Sequence, residues 1–461
     1  YARGKVMGGC TSINAMIYMR GQRSDYQSWV DSGNPGWGWD DVLPYFKGME
    51  DYVHGADEFL GVGGELPVQD RRVNWEILDA WREAAEECGI PKIDEFNRGD
   101  NFGNAYFQVN QRKGVRWNAV RCFLKPVRHR QNLTIVNRAH VQQLHIETRD
   151  GSKQATGVEV RIDGGQSGVF KASREILLSA GSIGSPQILQ LSGVGSGELL
   201  QAHNIDVKHD LAGIGENLQD HLQIRTQYKV SGTVTLNDRA RTLVGKMKMA
   251  MEYLVSRSGP MTMPPSQLGA FAKSDPSQTS ANIEWHVQPL SLDKFGEPLH
   301  PFSAITPSVC NLRPTSRGTV QIQSPDPYQH PRIKLNYLST EEDRRVAVDS
   351  IHLTRRIMAA KALERFHPEE VLPGPDLTTE DQLMRAAGDL GTTIFHPIGT
   401  CKMGNDDMAV VDNRLRVHGI SNLRIVDASV MPRITSGNTN APTMMIAERA
   451  AEFIREDNPV R

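Results

Sequence analysis

Several things are scarce in this sequence, and each scarcity removes a class of protein. Its five cysteines, Cys10, Cys88, Cys122, Cys310 and Cys401, are odd in number, far apart and never in a Cys-x-x-Cys spacing. That argues against a disulfide framework or a metal site and fits a reducing, cytoplasmic compartment. No apolar run approaches the ~20 residues of a membrane-spanning helix, which leaves only peripheral association with a membrane open. Charge of one sign is not in excess: 52 Lys and Arg stand against 54 Asp and Glu, a formal −2, so nucleic acid is not an expected partner. Repeats and low-complexity tracts are absent. So is a Gly-x-Gly-x-x-Gly turn after an opening strand, the usual phosphate-binding start of a dinucleotide fold.

What remains is an ordinary globular chain of 461 residues, 39% apolar, long enough for two domains. Asn34-Pro35-Gly36 reads as a turn, with Asp40 as the cap of a short helix. Between Asn74 and Cys88, Leu78, Trp81, Ala85 and Cys88 recur at helical spacing and Gly89 ends the pattern; Trp81 is expected in the core. Strands are expected at Asn132–Val136, Val141–Ile146 and Gly157–Val160. Glu175–Ala180 reads as a buried strand running through Gly181-Ser182-Ile183-Gly184 into a helix from Ser185 to Ser192. This is the strand, turn and helix of a doubly wound unit, although a plain βα packing unit would look the same. Alternation in Asn282–Val287, Thr319–Gln323 and Arg332–Tyr337 predicts an antiparallel sheet with one face covered. A helix running to Ala360 follows, with Ser339 and Glu342 as its capping box.

The chemistry-bearing blocks lie at the two ends. Near the C-terminus stand Thr393-Ile394-Phe395-His396-Pro397-Ile398-Gly399-Thr400, then Val426-Asp427-Ala428-Ser429, then Ser436-Gly437-Asn438-Thr439-Asn440-Ala441-Pro442. The last opens a helix whose unpaired N–H groups suit a phosphate or a ring that gains negative charge. Near the start stands Gly4-Lys5-Val6-Met7-Gly8-Gly9-Cys10-Thr11-Ser12-Ile13-Asn14, and mid-chain Gly181-Ser182-Ile183-Gly184-Ser185-Pro186-Gln187-Ile188-Leu189-Gln190-Leu191-Ser192-Gly193-Val194-Gly195. These ordered blocks resemble the glucose-methanol-choline (GMC) oxidoreductases, flavin enzymes that oxidise alcohols. The likeness runs the length of the chain, and Met7 and Cys10 are its small departures.

The resemblance implies an α/β fold: an FAD-binding, Rossmann-like domain split in sequence (1–60, 116–221 and 396–461), an inserted antiparallel-sheet substrate domain (222–395), and a substrate-domain or connector segment at 61–115. It implies FAD, held noncovalently because Ile13 stands where some relatives carry an attaching histidine. Gly9, Cys10, Asn14, Ala15, Val141, Asp427, Ala428 and Asn440 are the implied cofactor contacts. His396 is the implied base, since a neutral imidazole exists at physiological pH. By itself a histidine is more often structural, and Asn438 could simply fill a turn beside Gly437; the family blocks give both a catalytic reading, with Asn438 orienting the substrate oxygen. The expected reaction is oxidation of a primary alcohol to an aldehyde, as in choline-, aliphatic-alcohol- and polyethylene-glycol-dehydrogenase-like members, with oxygen or a quinone as acceptor. A lyase of the same fold, or an inactive chain lacking the first βαβ unit, are the alternatives. Such a chain would have a hole in its nucleotide domain beside Gly181–Pro186 and Val141, and would bind FAD weakly.

Overall fold

The computed structural model describes residues 1–294 and 296–459. Helix α1 (Glu76–Glu87) forms where the sequence spaces apolar residues three and four apart, and Ile77, Leu78, Trp81, Ala84 and Ala85 are all buried. Gly89, at φ +87°, supplies the left-handed turn that ends it. Strand β1 (Gly103–Tyr106) follows. Then come the long antiparallel hairpin of β2 (Ala139–Arg149) and β3 (Ser152–Ile162), the short strand β4 (Ile176–Leu178) and helix α2 (Gly181–Leu191).

The expected strand at Asn132–Val136 is not formed. The segment pairs with no neighbour, and its Leu133, Ile135 and Val136 are exposed; apolar β-branched residues make a strand only when a partner takes up their N–H and C=O groups. Strand β4 is shorter than expected, and α2 begins four residues early.

The second half supplies β5 (Leu222–Arg225), β6 (Gln227–Lys229), helix α3 (Leu243–Ser256), β7 (Leu268–Ala272), β8 (Ile283–Gln288), β9 (Ala304–Asn311), helix α4 (Glu341–Met358), β10 (Glu369–Leu372), β11 (Gly391–Thr393), β12 (Leu423–Ile425) and helix α5 (Asn440–Asp457). An eight-stranded antiparallel sheet runs β10–β6–β9–β8–β7–β1, with β5 lying between β9 and β11. Both its faces are covered, not one: β7 and β8 are buried at every position. Ile283, Trp285 and Val287 pack into the core beneath α1 and α4, where the Trp285 ring centroid lies 6.2 Å from fully buried Trp81. Glu284 and His286 point the other way. A separate parallel pair, β4 with β12, carries the flavin-side blocks.

Two expected caps differ. Helix α4 starts at Thr340, whose hydroxyl accepts from the Asp343 amide, while Ser339 bonds to Ser316. The helix Trp39–Met49 is closed by Asp41, which accepts from the Gly38 amide, whereas Asp40 lies against Arg23. In both cases the capping side chain sits one residue beyond the expected one. Helix α3 is unusual in having no buried residue. Among the described residues no helix is long and apolar enough to cross a membrane.

Candidate active site

His396 is placed by register. Gln219 and Ile398 form an antiparallel bridge, and three residues on, Leu222 pairs with Thr393 in the β5–β11 ladder. The first pairing sets His221 opposite His396; the second is reached only because Ile394 and Phe395 are extra residues on one strand. Phe395 absorbs the irregularity at φ +65°, a left-handed geometry that a bulky residue adopts at a cost of roughly 1–3 kcal/mol. The turn aims the His396 amide at Asp220, whose Oδ1 accepts from it at 2.8 Å. The other oxygen of Asp220 accepts from the hydroxyls of Tyr1 (2.9 Å), Tyr337 (2.5 Å) and Thr393 (2.5 Å). Burial raises the pKa of this carboxyl above the usual carboxylate value, and the hydrogen bonds, that from Thr393 foremost, offset only part of the rise.

The imidazole of His396 is held on both sides. Its Nδ1 lies 3.0 Å from Nδ1 of His221, whose Nε2 lies 3.2 Å from the Leu312 carbonyl oxygen. Its Nε2 lies 3.0 Å from Nδ2 of Asn438. The Oδ1 of Asn438 is buried and has no hydrogen-bond partner among the described residues. Burial holds the His396 pKa well below the usual histidine value, helped by His221, His286 and Arg3; burial likewise brings His221 down to about 4. Both rings are therefore neutral at pH 7. Behind them His286 stands 3.2 Å from the Glu284 carboxylate. A neutral imidazole nitrogen and an amide N–H thus lie side by side, and a hydroxyl entering between them would give its proton to the first while its oxygen accepts from the second.

Ala428 is tied to the His396 strand, its carbonyl accepting from the Gly399 amide at 3.3 Å. Asn440, the first residue of α5, donates to Asn110, whose amide bonds to the Met16 carbonyl; Asn14 in turn accepts from the Met16 amide and from Arg116. Ala15 packs with Ile394 against one hydrophobic cluster. Gly9 and Cys10 lie in a single 3-10 turn, with the Cys10 sulfur 3.4 Å from the Gly4 amide. Val141 stands apart, opposite Val160 on the β2–β3 hairpin.

These residues fit the ring end of FAD by what they leave open. Helix α5 starts without a side-chain cap or an acidic residue in its first turn, so its positive end is free for a ring that gains negative charge. At Gly9, φ +53°, a Cβ would meet nothing within 4 Å, the open backbone a flat ring can approach. The Gly181 turn offers no such site. Its amide donates to Asp427 Oδ2 at 2.8 Å and Ser185 donates to the same oxygen at 2.6 Å, while Asp427 Oδ1 caps the turn at Ser429. Helix α2 therefore already has its anion, which explains its early start. The Asp427 carboxylate is engaged by protein donors, leaving its backbone to meet a cofactor.

Asp220 and His221 were not anticipated from the sequence. Their one signal is an Asp-His pair at the 221/222 boundary between the expected FAD-binding and substrate segments.

Comparison with known proteins bears on the whole chain. The GMC oxidoreductase family matches it twice, its amino-terminal domain over residues 1–223 and its carboxy-terminal domain over 314–447. An oxygen-dependent choline dehydrogenase of Photobacterium profundum is 37% identical over 99% of this chain and 80% of its own length. An alcohol dehydrogenase [acceptor] of Pseudomonas putida is 37% identical over 98% of this chain and 82% of its own. Among solved structures, pyridoxine 4-oxidase from Mesorbium loti superposes with a TM-score of 0.88 at 32% identity, covering 99% of this chain and 85% of that one. The chain therefore belongs to the GMC oxidoreductases, with their α/β FAD-binding fold, and is an FAD-dependent oxidoreductase acting on CH–OH donors.

Proposed function

We propose that this protein oxidises a primary alcohol to an aldehyde, with His396 as the general base. The observation that carries the reading is the convergence of His396 Nε2 and Asn438 Nδ2 at 3.0 Å. His396 takes the hydroxyl proton; Asn438, an amide that cannot act as a base, orients the oxygen and stabilises its developing charge. When bound, FAD supplies the acceptor for the hydride leaving the substrate carbon. Gly9, Cys10, Asn14, Ala15, Ala428 and Asn440 would hold its ring end, Asp427 through its backbone, and Val141 would meet the adenine end. The cofactor is held noncovalently, since Ile13 offers no attaching nucleophile. Electrons then pass to oxygen or a quinone. Choline is a weaker fit than an aliphatic or aryl alcohol, because a quaternary ammonium calls for an aromatic cage that the sequence does not mark.

The proposed setting is the cytoplasm, with peripheral attachment to a membrane. Free thiols at all five cysteines fit a reducing compartment. Helix α3 fits the attachment: Leu243, Val244, Met247, Met251, Leu254 and Val255, spaced one, three and four apart, share one exposed face, with Lys246 and Lys248 beside it. The division into a split FAD-binding domain and an inserted sheet domain is proposed with the same boundaries, 1–60, 116–221 and 396–461 against 222–395. The test of function is an anaerobic panel of primary alcohols added to the FAD-loaded protein. Bleaching of flavin absorbance by an aliphatic or aryl alcohol is expected; a flavin that no alcohol bleaches would point to the lyase reading. Repeating the run with oxygen or a quinone identifies the acceptor.

A further inference from the structure

We propose that His221 is a positioning residue: it fixes the ring proton of His396 on Nδ1, so that Nε2 presents its lone pair beside Asn438. The assignment follows from the donors and acceptors along one buried row, Leu312 carbonyl, His221, His396, Asn438. A carbonyl oxygen only accepts, so the 3.2 Å contact from Leu312 to His221 Nε2 requires the proton on that nitrogen. A neutral imidazole has one ring proton, which leaves His221 Nδ1 as an acceptor. The 3.0 Å contact between the two Nδ1 atoms is then a hydrogen bond only if His396 carries its proton on Nδ1. That bares His396 Nε2, and the Asn438 amide donates to it at 3.0 Å.

The opposite arrangement fails at the far end. Turning the Asn438 amide over would ask for a proton on His396 Nε2, hence one on His221 Nδ1, and would set a bare His221 Nε2 against the Leu312 oxygen. Two lone pairs would then face each other at 3.2 Å with no water to separate them, since His221 is fully buried. A second proton on either ring is opposed by the same burial. The groups facing the pair are Glu284 and His286 on the central sheet, Asp220 next to His221 in sequence, and Arg3. The Leu312 carbonyl, a fixed backbone group on the segment after β9, is thus the anchor that decides the tautomer of a residue two side chains away. The catalytic meaning of this tautomer rests on the reading of His396 as the base; the tautomer itself does not.

The test is ring-nitrogen NMR of the chain labelled with 15N-histidine at pH 7, with His396 and His221 assigned from variants. The expected pattern is a protonated Nδ1 and bare Nε2 on His396, and the reverse on His221. His221→Leu removes the acceptor and is expected to move the His396 proton wholly or partly to Nε2. His221→Gln, whose amide can accept from His396 and donate to Leu312, is expected to restore the parental His396 pattern. A protonated Nε2 on His396 in the parent overturns the proposal even if neither variant folds. So does a His396 pattern unchanged in a folded His221→Leu protein. In the FAD-loaded enzyme, His221→Leu should lower kcat by ~10²-fold with KM little altered, the lower end of what a general base contributes. If His396→Ala reduced its flavin at the parental rate, the base reading would fail while the ring-proton pattern stood.

Discussion

Asp220 and His221 are neighbours that grip one histidine at two points, the backbone amide through a carboxylate and the ring through an imidazole. The grip has a pH signature. His221 titrates at about 4 when folded, because it is buried, against ~6.5 in an unfolded chain. As pH falls through 6.5 the unfolded chain takes up the proton first, so the stability contribution is complete above that pH and is lost toward pH 4. By pH 4.5 the loss amounts to roughly 2.5 kcal/mol. Urea unfolding of the parent and of His221→Gln between pH 7.5 and 4.5 should therefore show the parent losing about that much more. An equal loss in both would mean that His221 is not held neutral. At this scale His396 and Asn438 were legible, since each sits in a recognisable block. His221 was not: its contact depends on the register of 219–222 against 393–398, and no local spacing encodes that.

The elements teach a similar lesson about what a pattern reports. Alternation in β8 reads as a strand with one dry and one wet face, and the strand is there. In fact Trp285 faces the helices while Glu284 and His286 face the candidate site, both sides being buried. Alternation reports two environments, and only tertiary structure says whether either is water. The glycine-rich stretch ahead of Ser185 reads as a turn but forms the first turn of α2 itself, and its anion is the Asp427 side chain, 246 residues away in sequence. Helix α3 yields a prediction of its own. Two lysines, Lys246 and Lys248, beside an exposed apolar face suit an anionic bilayer, so the protein should float with vesicles containing phosphatidylglycerol and less with pure phosphatidylcholine. Leu254→Asp with Val255→Asp should abolish the flotation. Equal partitioning of parent and variant would remove α3 as the contact.

Across the whole molecule, segments from both ends and the middle of the chain meet around His396: Tyr1 and Arg3 touch Asp220 and Phe395, Ser182 donates to the Pro397 carbonyl, and Asn438 meets the imidazole. The family and fold were legible because the blocks keep their order; the meeting itself was not, because it needs contacts hundreds of residues apart. One consequence concerns attachment of the cofactor. The FAD-loaded protein, denatured and passed over a size filter, should leave its flavin in the filtrate; fluorescence retained with the polypeptide would point to Cys10, whose sulfur lies in the turn beside Gly9. Alcohol oxidation is proposed here to run through one neutral, buried histidine. The most direct test is stopped-flow flavin reduction under anaerobic, saturating alcohol, comparing the parent with His396→Ala, both FAD-loaded. Reduction is expected to be ~10² to 10⁴-fold slower in His396→Ala with FAD still bound, and the loss smaller in Asn438→Ala. A His396→Ala protein that reduced its flavin as fast as the parent would contradict the proposal.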